Sequence, residues 1–463
     1  MNRWYHSLQP SWRGRLSRLA RVLIMLVLAV VVAAWLPAVA ARAEESAAPR
    51  RVIGLEEAVR TALLSHPTIR QERSVVEQGR ARVERQRAAC YPVISGGLSY
   101  ERVHSGFVGG VRGRAVVSEF SQYTAELTAQ QTIYDFGRTS NRVSAARDQL
   151  EADRQGLAAT EADVAFNAKA AYFRVIQAET LLCVAQESLR RLEQHLSQAQ
   201  ALHEVGLRPK IDVTRAQVDL SSGLTDQITQ QGSVTVARAS LVNAMGVMLP
   251  LDYEVQEIPL SPTCGELAPL VEQALARRPE IKQLQAAVRG LEAQVTAAWS
   301  GYLPVLNGSG FYNYSGSGFP LPNSWNVGAF LNVPIFNGFL TRADVDLAKA
   351  TLRQTQASLD GQIQNVRLEV ERAYSDVKTA NGQVETQRAA VGQAQENLQP
   401  AQARYREGLG SAIEYTDAEV ALTSAQANEA QAVYNLYIAT AALERAVAGP
   451  GSLSGSWQTQ PNG

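Results

Sequence analysis

The sequence repeats itself once, at a distance near 200 residues. Val59, Ala62-Leu63, Pro67 and Ile69 return as Val271, Ala274-Leu275, Pro279 and Ile281, an offset of 212. Tyr91-Pro92-Val93 and Tyr100 return as Leu303-Pro304-Val305 and Tyr312 at the same offset. Further on the offset is 202: Ile133-Tyr134-Asp135 matches Ile335-Phe336-Asn337, and Gly206-Leu207 matches Gly408-Leu409. The difference places a ten-residue insertion in the first copy, after Tyr100. A period this long is no solenoid repeat, so the chain is a duplicated structural unit.

Each copy carries a very long helical pattern. Apolar positions fall at Ala168, Ala171, Val175, Ala178, Leu182, Ala185, Leu189, Leu192, Leu196 and Ala199, alternating three and four apart. That is a heptad seam. Its copy 202 residues on runs through Ala373, Val377, Ala380, Val384, Gln387, Val391, Ala394, Leu398 and Ala401. No proline interrupts Gly137 to Arg208, a stretch that would span roughly 105 Å as one helix. Ordinary globular helices stop far sooner, so the pattern demands neighbouring helices. Pro400 predicts a local kink near the far end of the second copy. Histidines 195 and 203 fall on the polar side of the seam, and Cys183, next to Leu182, reads as a small packing residue.

Between the helical patterns the period changes to two. Tyr123, Ala125, Leu127 and Ala129 share one strand face, with Thr124, Glu126, Thr128 and Gln130 on the other. Trp325, Val327, Ala329, Leu331 and Val333 repeat the apolar face. Leu306, Tyr312 and Tyr314 form a third such face, and Ile94, Leu98 and Tyr100 a fourth. One apolar face, one polar face and terminal aromatics are what a transmembrane barrel requires. Four strands cannot close one, so the strands must be pooled among copies of the chain.

The N-terminus reads as an export signal. Five Arg in the first 21 positions precede the apolar run Val22–Leu36, and Ala41-Arg42-Ala43 is an A-x-A cleavage site. The run is about 15 residues, short of the ~20 of a membrane-spanning helix. Basic and acidic residues number 44 each. Without residues 1–43 the balance becomes 38 against 44, a net charge of −6, which argues against nucleic acid as a partner. The three cysteines (Cys90, Cys183, Cys264) and five histidines show no metal-ligand spacing, and no nucleophile elbow or phosphate loop is present. The expectation is no enzyme activity, no cofactor and no metal centre.

The expected boundaries follow: signal peptide 1–43; first repeat 44–250, with strands near 93–104 and 119–134 and helices near 137–205 and 210–246; linker 251–264; second repeat 265–447, with strands near 304–315 and 324–336 and helices near 338–406 and 411–447; and a Gly/Ser/Pro-rich disordered tail, 448–463.

The two interhelical turns carry a resemblance. They read Val205-Gly206-Leu207-Arg208-Pro209-Lys210-Ile211-Asp212-Val213 and Tyr405-Arg406-Glu407-Gly408-Leu409-Gly410-Ser411-Ala412-Ile413-Glu414-Tyr415-Thr416-Asp417. With the strand-to-helix entries at Ile133–Gly137 and Pro334–Gly338, and the openings Leu55-Glu56-Glu57-Ala58 and His66-Pro67, the chain over roughly 53–447 resembles the TolC family of outer-membrane channel-tunnel proteins.

The resemblance implies an α+β membrane protein. It would be a homotrimer pooling its strands into a 12-stranded barrel in outer-membrane lipid, continuous with a periplasmic α-helical barrel. It implies an exit duct for tripartite efflux or type I secretion, docked at the tip turns Gly206-Leu207 and Gly408-Leu409 by a periplasmic adaptor and an inner-membrane RND or ABC pump. By the same resemblance Glu414 and Asp417 would form an acidic ring at the gate, and Tyr405 would hydrogen-bond Asp212 on the neighbouring coil as its lock. Some members hold the gate with an Arg where this chain has Gly410, which leaves Arg208, Arg404 or Arg406 as substitutes. A periplasmic coiled-coil adaptor or scaffold is the competing reading. It explains the signal and the helices but not the duplicated strand pairs.

Overall fold

The computed structural model describes residues 51–108, 115–248, 250, 253–257 and 265–448. Residues 1–50 with the expected signal peptide, Cys264, most of the 251–264 stretch and the expected tail, 449–463, lie outside them. The chain divides into two compact units, of which the smaller contains, among the described residues, Arg51, Val52, Tyr253 and Glu254. Strand β1 (Arg51–Ile53) pairs with β4 (Tyr253–Val255), so the stretch expected to be a plain linker contains a strand.

The larger unit shows the duplication element by element. Helices α1 (Leu55–Ser65) and α2 (Pro67–Arg87) recur as α5 (Leu267–Arg277) and α6 (Pro279–Trp299). Helices α3 (Arg138–Glu204) and α7 (Leu340–Arg406) are 67 residues each, about 100 Å, and α7 continues through Pro400. Each is followed by a shorter partner, α4 (Lys210–Met245) and α8 (Ala412–Ala448). The long helices start where the strands end because the backbone there turns left-handed. Phe136 and Gly137 (φ 53° and 87°) and Gly338 and Phe339 (65° and 66°) make the turn. Asp135 then caps α3 by accepting the Thr139 N–H at 2.8 Å, and Asn337 donates to Thr341 Oγ1 at 2.5 Å.

The helices form a layer. Helices α2 and α4 flank α3 on one side, α6 and α8 on the other, and α7 packs beyond α6 and α8. The seam is built from small residues: Val377, Ala380 and Val384 of α7 are buried with Ala432 and Leu436 of α8. Where α5 meets α6, buried Arg278 donates to Glu280 at 3.0 Å, to Glu369 at 2.7 Å and to the Ala446 carbonyl at 3.2 Å, tying the end of α8 to the joint. His66 holds the matching place in the first repeat, with Nδ1 accepting the Thr68 N–H.

That first joint yields a prediction. Gly246 ends α4 at φ 67°, and a Cβ there would stand 2.6 Å from His66 Cα. Gly246→Ala combines a left-handed backbone cost of about 1–2 kcal/mol with a backbone clash. The expected outcome is a clearly lowered thermal midpoint by circular dichroism; an unchanged midpoint would show that the joint yields freely.

The sheet is antiparallel, in the order β2 (Val93–Val108), β3 (Ala115–Tyr134), β5 (Val305–Gly316), β6 (Asn323–Asn332). The first hairpin extends further than its expected bounds, and β6 stops before Pro334, which has no N–H for the ladder. Register aligns the apolar faces. Gly96, Leu127, Tyr312 and Trp325 lie across one rung, Ile94, Ala129, Gly310 and Val327 across the next. Leu98, Trp325 and Val327 are exposed on that face, and β2 and β6 are unpaired edges. No described helix is long and apolar enough to cross a membrane.

Candidate functional site: the tips of the helical hairpins

At the far end of the helices, two turns reverse the chain by the same device. Gly206 (φ 77°) and Gly408 (φ 79°) adopt the left-handed conformation that closes a helix C-terminus. Leu207 N–H donates to the Leu202 carbonyl and Leu409 N–H to that of Arg404, both at 2.9 Å. The backbone bonds are satisfied locally, so the leucine side chains are free to point outward. Leu207 is 72% exposed and Leu409 73% exposed. Val205 and Ile211 extend the apolar surface of the first turn.

Arg208 joins the two turns. Its Nη2 donates to the Gly410 carbonyl at 2.6 Å, its guanidinium lies 4.9 Å from the centre of the Tyr405 ring, and Nη1 is 4.0 Å from Asp212. His203 Nδ1–H donates to the Arg208 carbonyl at 2.9 Å and steadies the turn. Gly410 is suited to its place because a Cβ would stand 3.1 Å from the Tyr405 nitrogen. Tyr405 itself is buried, and its hydroxyl has no hydrogen-bond partner in the protomer. The Tyr405–Asp212 bond expected from the sequence is therefore not made within one chain; Arg208 touches both residues instead.

The two acidic candidates differ. Glu414 stands in the first turn of α8, where Ser411 Oγ accepts its N–H at 3.1 Å, and its carboxylate pairs with Arg404 at 3.3 Å. Asp417, one turn on, is exposed and has no ion-pair partner among the described residues. The uncompensated negative charge at the start of α8 thus rests mainly on Asp417.

Beneath the clasp lies a layer that the sequence reading placed wrongly. His195 was expected on the polar side of α3; it is 2% exposed, stacked on Tyr415 at 4.3 Å and 4.9 Å from Tyr405. Its Nδ1 is buried without a partner. One level below, Arg191 Nε donates to buried Glu419 at 2.5 Å. The heptad pattern reports one seam, but α3 packs on α4 and α8 together and needs a second buried stripe, which contains His195. Cys183 is likewise exposed rather than packed, as is Cys90. Among the described residues no cluster of His, Cys, Asp or Glu could hold a metal ion.

Burial pushes the His195 imidazole below its ordinary value, against an upward pull from Asp219 and Asp212. Burial and Glu419 push Tyr415 up to about 12, and burial raises Tyr405, so neither phenol titrates near neutrality. A depressed histidine stabilises the packed layer fully above about pH 6.5, and that stability is lost as pH falls toward the depressed value. Acid should therefore loosen the tip. We expect limited proteolysis at the tip turns to speed up several-fold from about pH 7.5 to 5.5 and His195→Phe, which keeps the stack, to flatten that rise. A rise of equal size in the variant would remove His195 from the response.

Known proteins place this architecture. A family model described as outer membrane efflux protein matches residues 58–247 and 270–449. Protein CyaE of Bordetella pertussis is 28% identical over 402 residues, covering 84% of this chain and 82% of that protein. The cation efflux system protein CusC of Escherichia coli K12 is 26% identical over 368 residues, 78% and 79% of the two chains. The crystal structure of the Campylobacter jejuni CmeC outer membrane channel superposes with a TM-score of 0.77 at 17% identity, over 88% of this chain and 87% of that one.

Proposed function

Because the chain belongs to the outer membrane efflux protein family, we infer that three copies pool their open sheets into one 12-stranded barrel. The protein is an outer-membrane exit duct: it passes substrate from the periplasmic side through the outer membrane as part of a tripartite efflux or secretion system. The observation that carries the reading is a single arrangement. An unclosed sheet, apolar on one face, continues into helices of about 100 Å that end in two exposed leucine turns. The sheet faces lipid, and the helices reach into the periplasm. The duct supplies no energy; an inner-membrane RND or ABC pump does so, joined through a periplasmic adaptor that seats on Gly206-Leu207 and Gly408-Leu409.

Gating belongs to the same tip. Glu414 and Asp417 line the constriction, with Asp417 carrying the unpaired charge. Tyr405 and Asp212 take part in the lock through Arg208, whose reach to Gly410 holds the second turn against the first. Arg208 thus fills the place left by Gly410.

A cysteine at Leu207 or Leu409, in a chain freed of its native cysteines, tests the docking. Crosslinking in cells should trap a periplasmic adaptor, identified by mass spectrometry. Recovery of crosslinks only between copies of this chain would refute docking at the tips.

A further inference from the structure

Where the helices meet the sheet, a groove of about 560 Å³ opens between α2, α3, α6 and α7. Its floor is small and apolar, with Gly79, Ala145 and Ala297. Its rim carries Arg82, Arg85 and Arg142, with Asp344 as the rim acid. A second hollow of about 280 Å³ shares Arg142, Ala297 and Asp344 and adds Arg138 and the strand residues Val305 and Asn332.

The strand residues show which way the hollows open. Val305 and Asn332 are cross-strand partners one step from the apolar pair Leu306 and Leu331, so they belong to the opposite, polar face. In a closed barrel that face lines the bore. The second hollow therefore opens toward the tunnel, at the entrance to the barrel, and the groove adjoins it at Arg142, Ala297 and Asp344.

Its charge is unbalanced. Asp153 answers Arg82 at 3.4 Å, and Arg138 donates to the Ser300 carbonyl at 2.9 Å. Arg85 and Arg142 have no ion-pair partner among the described residues. Asp344 alone does not cancel them. Three copies would place six such guanidiniums round the bore, between the acidic tip and the barrel wall, where Glu126 stands on the polar face.

We propose that this groove binds the anionic head of an amphipathic cargo. The guanidiniums would hold a carboxylate, sulfonate or phosphate, and the glycine–alanine floor would take the apolar part. The proposal deepens the duct reading and rests on it. It gives this duct a preference for organic anions at a point beyond the cation-attracting gate.

The test uses the full-length protein in planar bilayers with pyrenetetrasulfonate added from the barrel side. The expected result is a concentration-dependent block that Arg85→Gln with Arg142→Gln weakens at least about tenfold and Arg142→Lys largely retains. Fluorescence anisotropy of the same dye on the detergent-solubilised protein should show the same loss of affinity, independently of conduction. Channels that conduct but are blocked equally in parent and double variant would overturn the site and leave the duct standing. Absence of channel current from the folded parent would overturn the duct reading, and the site with it.

Discussion

Arg208→Ala is expected to raise the basal open probability by about tenfold or more, measured as single-channel activity without any partner present. The guanidinium reaches from the first turn to the second, through a 2.6 Å bond to the Gly410 carbonyl and a cation–π contact with Tyr405. A hydrogen bond from a charged donor contributes about 1.5–3 kcal/mol. A cation–π contact adds about 0.5–2 kcal/mol. Loss of about 1.4 kcal/mol from the closed state is already a factor of ten in population. Arg208→Lys should be intermediate, because an ammonium cannot stack and fork at once. Tyr405→Phe separates this lock from one built on the phenol. The hydroxyl has no partner in the protomer, so removing it should leave the gate close to the parent. A closed Arg208→Ala channel, or an open Tyr405→Phe channel, would reassign the lock to the phenol.

Neutralising the acidic pair has the second large effect. Glu414→Gln with Asp417→Asn is expected to lower the cation-to-anion permeability ratio by roughly tenfold and to relieve block by multivalent cations. Two unit charges about 10 Å apart interact by about 1.7 kcal/mol at an effective dielectric of 20, enough to set ion preference at a constriction. The two residues should not contribute equally. Glu414 is partly neutralised by Arg404, while Asp417 is exposed and unpaired, so Asp417→Asn alone should give most of the change. Reversal potentials in a salt gradient read this directly. Unchanged selectivity in the double variant would remove both residues from the pore.

The sequence was most informative where structure is periodic. The offset of 202 recurs in the bounds of α3 and α7, and the alternation in 123–129 and 325–333 marks the face that register aligns across the sheet. Non-periodic contacts were not legible. His195 sits one position before seam residue Leu196, and only the presence of α8 beside α3 makes that position interior. Arg208 could be named only as one of three arginines, because reach across two turns depends on how the hairpins pack. Strand β4 is three residues long in an aperiodic stretch, below the length at which alternation can be read.

The central claim is that this chain forms a channel through the outer membrane, and a planar-bilayer recording of the purified full-length protein tests it most directly. Discrete, cation-selective current steps from a preparation that sediments as a trimer are the expected result. A folded, helical preparation that produces no steps at any voltage would contradict the duct and favour a periplasmic scaffold.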